Sequence, residues 1–178
     1  MLGLASISQT TANLLRTKQC VLNLPADDMT APVNALARTT GTSQMPEFKV
    51  KLGYRHKKDK FRAAGLTQEL SECVEPPRIR ECPVQMEAEM VGVHEMIGNR
   101  LDDVKGFALA IEVRILRTYV VDEIRLAGHP NRIDTDRWRP MIMSFSQLYG
   151  LRGEKAAKSS LAEIEEELYR LPESDGPS

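Results

Sequence analysis

Val84-Gln85-Met86-Glu87-Ala88-Glu89-Met90-Val91-Gly92-Val93 is the stretch that decides the fold class. Val84, Met86, Ala88 and Met90 alternate with Gln85, Glu87 and Glu89, the period of a strand with one buried face. Phe107 to Ile115 repeats the pattern, with Phe107, Leu109, Ile111, Val113 and Ile115 on one side and Glu112 and Arg114 on the other. Tyr119 to Leu126 reads as a further strand. Gly98-Asn99-Arg100 and Asp102-Asp103 supply a hairpin loop between the first two. Pro76-Pro77 and Pro83 bracket a short extended segment upstream, because proline disfavours helix in the residue before it. Antiparallel strands with helices confined to the connections predict a mainly β chain, a barrel closed on itself with peripheral helices.

Working outward, Leu2 through Leu4 toward Ile7 reads as a first strand, Thr10 to Arg16 as a helix, and Cys20 to Leu24 as a strand ending at Pro25. Asp27-Asp28 starts a helix with Val33, Leu36 and Ala37 as its apolar side and Gly41 as its stop. Met45 to Arg55 reads as irregular or weakly extended. Asp59 caps a short helix that Gly65 ends in the left-handed conformation. Thr67 to Cys73 continues as polar loop or helix. Leu161, Ile164, Leu168 and Leu171 recur at helical steps between glutamates, so residues 152–171 form an amphipathic helix and 172–178 a frayed, disordered tail. Residues 1–151 are one domain, and because its first residues already alternate like a core strand, the domain is expected to be N-terminally incomplete.

A chain of 178 residues is long enough to bury a core without metal or disulfide staples. Its formal net charge of −1 leaves no electrostatic footprint for nucleic acid. Cys20, Cys73 and Cys82 are odd in number and far apart, and His56, His94 and His129 have no partner at ligand spacing, so we expect reduced thiols and no metal site. No apolar run approaches the roughly 20 residues needed to cross a bilayer, and Met1-Leu2-Gly3-Leu4-Ala5 is neither basic nor long enough in its apolar part to read as a secretion signal; the expectation is a cytoplasmic protein without membrane contact. Gly-x-Gly-x-x-Gly, Walker and Gly-x-Ser-x-Gly motifs are absent.

The stretch with chemical content is Ser6-Ile7-Ser8-Gln9-Thr10-Thr11-Ala12-Asn13. Hydroxyls and an amide crowd a helix start, where free N–H groups and the helix dipole favour an anion. Capping by Thr10 or Thr11 accounts for the same residues, with Asn13 merely exposed. Arg55-His56-Lys57-Lys58-Asp59-Lys60 is the densest basic run, either a solvated turn or an attractor of nucleotide phosphates. Glu87 and Glu89, at strand spacing, share one polar face and need no catalytic explanation, and Glu81 adds none.

Thr10-x-x-Asn13-Leu14 is followed by Val21-Leu22-Asn23-Leu24-Pro25, then Asp59-Lys60-Phe61 with Ala64-Gly65-Leu66. Glu81-Cys82-Pro83-Val84-Gln85-Met86-Glu87, Trp138-Arg139-Pro140-Met141 and Tyr149-Gly150-Leu151 complete the series. In this order the blocks resemble the flavin reductase family of FMN-binding split barrels. The resemblance implies an antiparallel split β-barrel, a homodimer, that binds FMN or another flavin and reduces it with NADH or NADPH. It implies that reduced flavin is supplied to an oxygenase partner, and that Ser6, Ser8, Thr10 and Asn13 hold the flavin phosphate with charge from Lys60. Catalytic side chains are not assigned, because the flavin itself accepts the electrons. The alternative is a split barrel that binds flavin without turnover or serves only to dimerise.

Overall fold

The computed structural model describes residues 1–96, 106–129, 131–151, 157 and 159. Strand β1 (Leu2–Ala5) leads into helix α1 (Gln9–Thr17), which carries the chain to β2 (Gln19–Leu24). Short elements follow: α2 (Thr30–Leu36), β3 (Thr39–Thr40), α3 (Glu47–Lys51), β4 (Arg55–His56), α4 (Lys60–Ala64), β5 (Gln68–Glu69) and β6 (Arg78–Ile79). Two 13-residue strands, β7 (Val84–Met96) and β8 (Ala108–Val120), form a long hairpin. After a 3-10 turn at Asp122–Ile124 comes a second hairpin, β9 (Met141–Ser144) and β10 (Gln147–Gly150).

The main sheet is antiparallel in the order β1-β8-β7-β2. β2 pairs with the first half of β7, Leu24 opposite Val84, while β1 pairs with the start of β8, Ala5 opposite Ala108. The edge strands therefore sit at opposite ends of the hairpin, and α1 spans from one edge to the other. Two bulges, at Leu116 between the pairs Glu87–Arg117 and Ala88–Ile115 and at Val91 between Met90–Val113 and Gly92–Glu112, bend the hairpin into a curled half-barrel. The expected mainly β, antiparallel architecture with peripheral helices is the one found, and the described main sheet is an open half-barrel with β1 and β2 as its edges rather than a sheet closed on itself.

The register puts Ala88 opposite Ile115, Met90 opposite Val113 and Val93 opposite Ile111, so the apolar alternation read from sequence lies on one face. Val84, Ala88 and Ile111 are buried there, with Leu14 of α1 also in the core. The opposite face, expected to be merely polar, is covered in its first half. Gln85 and Glu87 are buried beneath the segment that includes β5 and β6.

Several expected elements differ. Tyr119 to Leu126 is no separate strand: β8 runs on to Val120 because its pairing with β7 continues to Val84. Met45 to Arg55 contains α3, which Pro46 starts and Lys51 closes with an ion pair to Glu47. Asp27-Asp28 does not cap α2, whose N-cap is Met29. Asp27 instead accepts from Arg139 Nη2 at 2.7 Å, tying the second hairpin to the end of β2. Helix α2 ends at Leu36, before β3, so Gly41 is not its stop; a Cβ there would meet Gln9 Cγ at 3.1 Å. Thr67 to Cys73 holds β5, paired with β6, rather than a helix. Asp59 and Gly65 bracket α4 as expected, with Arg62 N–H donating to Asp59 Oδ1 at 3.0 Å and Gly65 at φ 65°. The hairpin loop at Gly98 to Asp103, the tail of 172–178 and, apart from residues 157 and 159, the helix expected over 152–171 lie outside the described residues.

Candidate functional site

Helix α1 begins with a self-contained cap. Thr11 N–H donates to Ser8 Oγ at 3.1 Å, and the Thr11 hydroxyl donates to the Ala5 carbonyl at 2.7 Å. Ser8 Oγ lies 2.8 Å from Thr11 Oγ1, so its own proton goes to Thr11. Ser8, not Thr10 or Thr11, is thus the N-cap, and Thr11 is buried. Successive helical residues point about 100° apart, the rotation set by 3.6 residues per turn. With Thr11 turned inward, Thr10 and Asn13 are exposed.

Thr10 and Asn13 face a cleft of about 630 Å³ whose other walls include Lys57, Lys58, Lys60 and Pro77. The structure therefore brings together Thr10, Asn13 and Lys60 of the expected phosphate set. Ser8 is engaged within the cap, and Ser6 does not line the cleft: its N–H donates to the Phe107 carbonyl at 2.8 Å. Gln9 Nε2 donates to Asn13 Oδ1 at 2.9 Å, which leaves the Asn13 amide NH2 as a donor. Lys57 and Lys58 come from the basic run that sequence left between two meanings; the parallel pairing of β3 with β4 delivers them to the cleft rim.

A second groove of about 490 Å³ adjoins the first, sharing Thr10, Asn13 and Pro77. Leu2, Leu4, Leu14, Val21, Leu22 and Pro76 make it predominantly apolar. Cys20 also lines it, and burial pushes that thiol up, so it stays protonated and inert at neutral pH. A cationic cleft opening into an apolar groove suits a ligand with an anionic head and a flat apolar body.

The wall carrying Gln68, Pro76 and Pro77 is clamped from behind by groups that sequence reasoning took for surface. Glu87 accepts from the N–H groups of Glu72, at 3.0 Å, and Cys73, at 2.6 Å, with Arg78 Nε at 3.5 Å. Burial works to raise the Glu87 pKa, but the Cys73 and Glu72 N–H groups outweigh it and hold the carboxyl below its ordinary value. Arg78 Nη1 donates to Gln85 Oε1 at 2.6 Å, and its guanidinium stacks 3.8 Å from the Tyr119 ring. Burial, then the nearby Glu87 and Glu72 carboxylates, push the Tyr119 phenol up to about 12. Glu81 takes the Thr67 N–H on both oxygens at 3.0 Å, and Asn23 Oδ1 takes the Ile79 N–H at 2.9 Å. The alternation of Gln85, Glu87 and Glu89 carried no signal of this: only the tertiary cover distinguishes a buried polar face from an exposed one.

Residues 1–127 match the flavin reductase like domain. The chain belongs to the flavin reductase-like family. It is 33% identical over 163 residues to the uncharacterized protein YdfE of Bacillus subtilis (strain 168), covering 92% of this chain and 74% of the relative. Among solved structures, nitrilotriacetate monooxygenase component B from Bacillus cereus superposes with a TM-score of 0.65 at 17% identity, over 88% of this chain and 70% of that one. Flavoredoxin of Desulfovibrio vulgaris (Miyazaki F) gives a TM-score of 0.65 at 17% identity, over 90% and 73%. The curled half-barrel is thus a split barrel of the flavin reductase type. Among the described residues no helix is long and apolar enough to cross a membrane, and no cluster of three or more His, Cys, Asp or Glu side chains is arranged to hold a metal.

Proposed function

We propose that this chain is a flavin reductase that holds FMN, or another flavin, and reduces it with NADH or NADPH. The observation that carries this reading is the continuity of the lysine-lined cleft with the apolar groove through Thr10, Asn13 and Pro77. In it, the Thr10 and Asn13 side chains and the N–H groups of Gln9 and Thr10 bind the phosphate as neutral donors, and Lys60, Lys58 and Lys57 supply charge. Ser8 and Ser6 act from behind, fixing the loop through the cap and the bond to Phe107. Leu4, Leu14, Val21 and Pro76 hold the ring and exclude water. Flavin held there would supply the hydride acceptor, so no side-chain nucleophile is required of the chain.

The acceptor of flavin reduced by this chain would be a separate oxygenase, a reading supported by the likeness to a monooxygenase component. The working form is a homodimer, because the apolar sheet face remains open at Val93 (40% exposed) and Ile115 (41%). Its free thiols fit the reducing cytoplasm. The test is anaerobic mixing of protein, FMN and either NADH or NADPH. Bleaching of the flavin absorption at a rate that depends on protein is expected. Bound flavin that neither nucleotide bleaches would make the chain a flavin carrier, and no bound flavin would contradict both.

A further inference from the structure

The basic run is not used up by the phosphate cleft. β3 and β4 pair in parallel, Thr39 beside Arg55, and the Arg55 N–H donates to the Arg38 carbonyl at 2.8 Å. This sets two guanidinium side chains around a hollow of about 270 Å³ lined by Arg38, Thr39, Gly53, Arg55 and Lys57. Lys57 lines both this hollow and the phosphate cleft, so the two spaces meet at one side chain. Arg38 sits at φ 53°, a left-handed backbone unfavourable for a non-glycine residue, and such strain persists only where surrounding structure enforces it. Gly53, at φ 75°, faces it: a Cβ there would lie 3.8 Å from Arg38 Nη1.

What marks this hollow is the convergence on one small space of three cationic side chains that no carboxylate among the described residues balances. Arg78, Arg114, Arg117, Arg125, Arg137 and Arg139 each pair with a carboxylate. Among the described residues Arg38, Arg55 and Lys57 form no ion pair. Within the cleft, Lys57, Lys58 and Lys60 against Asp59 already leave two positive charges, enough for one phosphate monoester of about −1.5 to −2. Arg38 and Arg55 add two more with nothing to neutralise them.

We infer that the Arg38–Arg55–Lys57 hollow binds a second phosphate group, carried by the nucleotide in the cleft or by one that meets it there. The inference rests on the flavin reading for the first phosphate. Its chemistry has two sources, the adenylate-side phosphate of a dinucleotide flavin or the 2′-phosphate of a phosphorylated nicotinamide dinucleotide. Guanidinium forks suit either.

The experiment is equilibrium titration of the full chain and of the double variant Arg38→Gln, Arg55→Gln with FMN, FAD, 5′-AMP and 2′,5′-ADP. Both substitutions fall on exposed side chains, removing the charge while keeping a polar amide, and circular dichroism checks the fold. The wild type should prefer FAD over FMN, or 2′,5′-ADP over 5′-AMP, by about tenfold, with the preference lost in the variant and FMN affinity kept. The first preference identifies the flavin source, the second the nicotinamide source. No preference in either pair, a preference that survives in the variant, or an equal loss of FMN affinity would overturn the inference. A wild type that discriminates 2′,5′-ADP through these arginines but binds no flavin would leave the hollow standing and remove the flavin reading instead.

Discussion

Thr10 and Thr11 are chemically identical and adjacent, yet one faces the cleft and the other is buried. What separates them is the phase of α1, fixed by the cap at Ser8. The Ser/Thr-rich start was legible in the sequence, but the choice among three hydroxyls was not, because each satisfies the local capping preference. Thr11→Val should lower stability by about 1–2 kcal/mol, leaving the Ala5 carbonyl and Ser8 hydroxyl short of a partner, whereas Thr10→Ala should leave the thermal midpoint nearly unchanged. Equal effects in thermal unfolding would contradict the geometry.

Glu87 makes the same point more strongly. Its carboxylate is sealed from solvent but lies just beneath the surface, so Glu87→Gln should cost about 2–3 kcal/mol, less than loss of a deeply buried ion-pair partner. Because its folded pKa is depressed, its stabilisation is complete above the ordinary Glu value near 4.3 and is lost as pH falls toward the folded value. The variant should therefore show a shallower loss of stability below about pH 4 than the wild type in denaturant titrations at several pH values; parallel acid limbs would contradict this.

At the scale of elements, the long hairpin was legible because its apolar alternation runs unbroken from Val84 to Met90 and from Phe107 to Ile115, up to each bulge. Val91 and Leu116 are the extra residues, and each restores the facing pairs on its far side. Extent was less legible: Val120 continues β8 where a new strand was expected, since pairing across the hairpin, not local composition, sets where the strand stops. Helix α4 announced itself through Asp59 and Gly65, while α3 carries no side-chain cap and so left no mark. The second hairpin shows why a glycine in a sequence block can matter. A Cβ at Gly150 would come within 2.6 Å of Asp27 Cβ, against the strand end that Arg139 holds. Gly150→Ala should cost about 1–3 kcal/mol by overpacking in thermal or chemical unfolding, and Asp27→Gly in the same chain should recover part of that loss. An unchanged midpoint in Gly150→Ala would remove Asp27 as the constraint.

For the whole molecule, the ordered series of blocks pointed to the family and the barrel, and several of the blocks supply contacts between distant segments. Asn23 reaches Ile79, Asp27 reaches Arg139, and Glu87 reaches Glu72 and Cys73. The cationic hollow was not legible, since nothing local places Arg38 beside Arg55. In sedimentation velocity the protein should run at twice the chain mass, and Ile115→Glu should shift it toward the monomer with its circular dichroism kept; a wild type that sediments as a monomer would contradict the homodimer. The central claim is that the cleft of Thr10, Asn13 and Lys60 holds the flavin phosphate. Titration of FMN by quenching of flavin fluorescence, in the wild type and in Thr10→Ala, Asn13→Ala, tests it most directly. Saturable binding that weakens by about tenfold in the double variant, with the thermal midpoint of the flavin-free protein unchanged, is the predicted result. FMN affinity that is equal in the two proteins, or absent in the wild type, would contradict it.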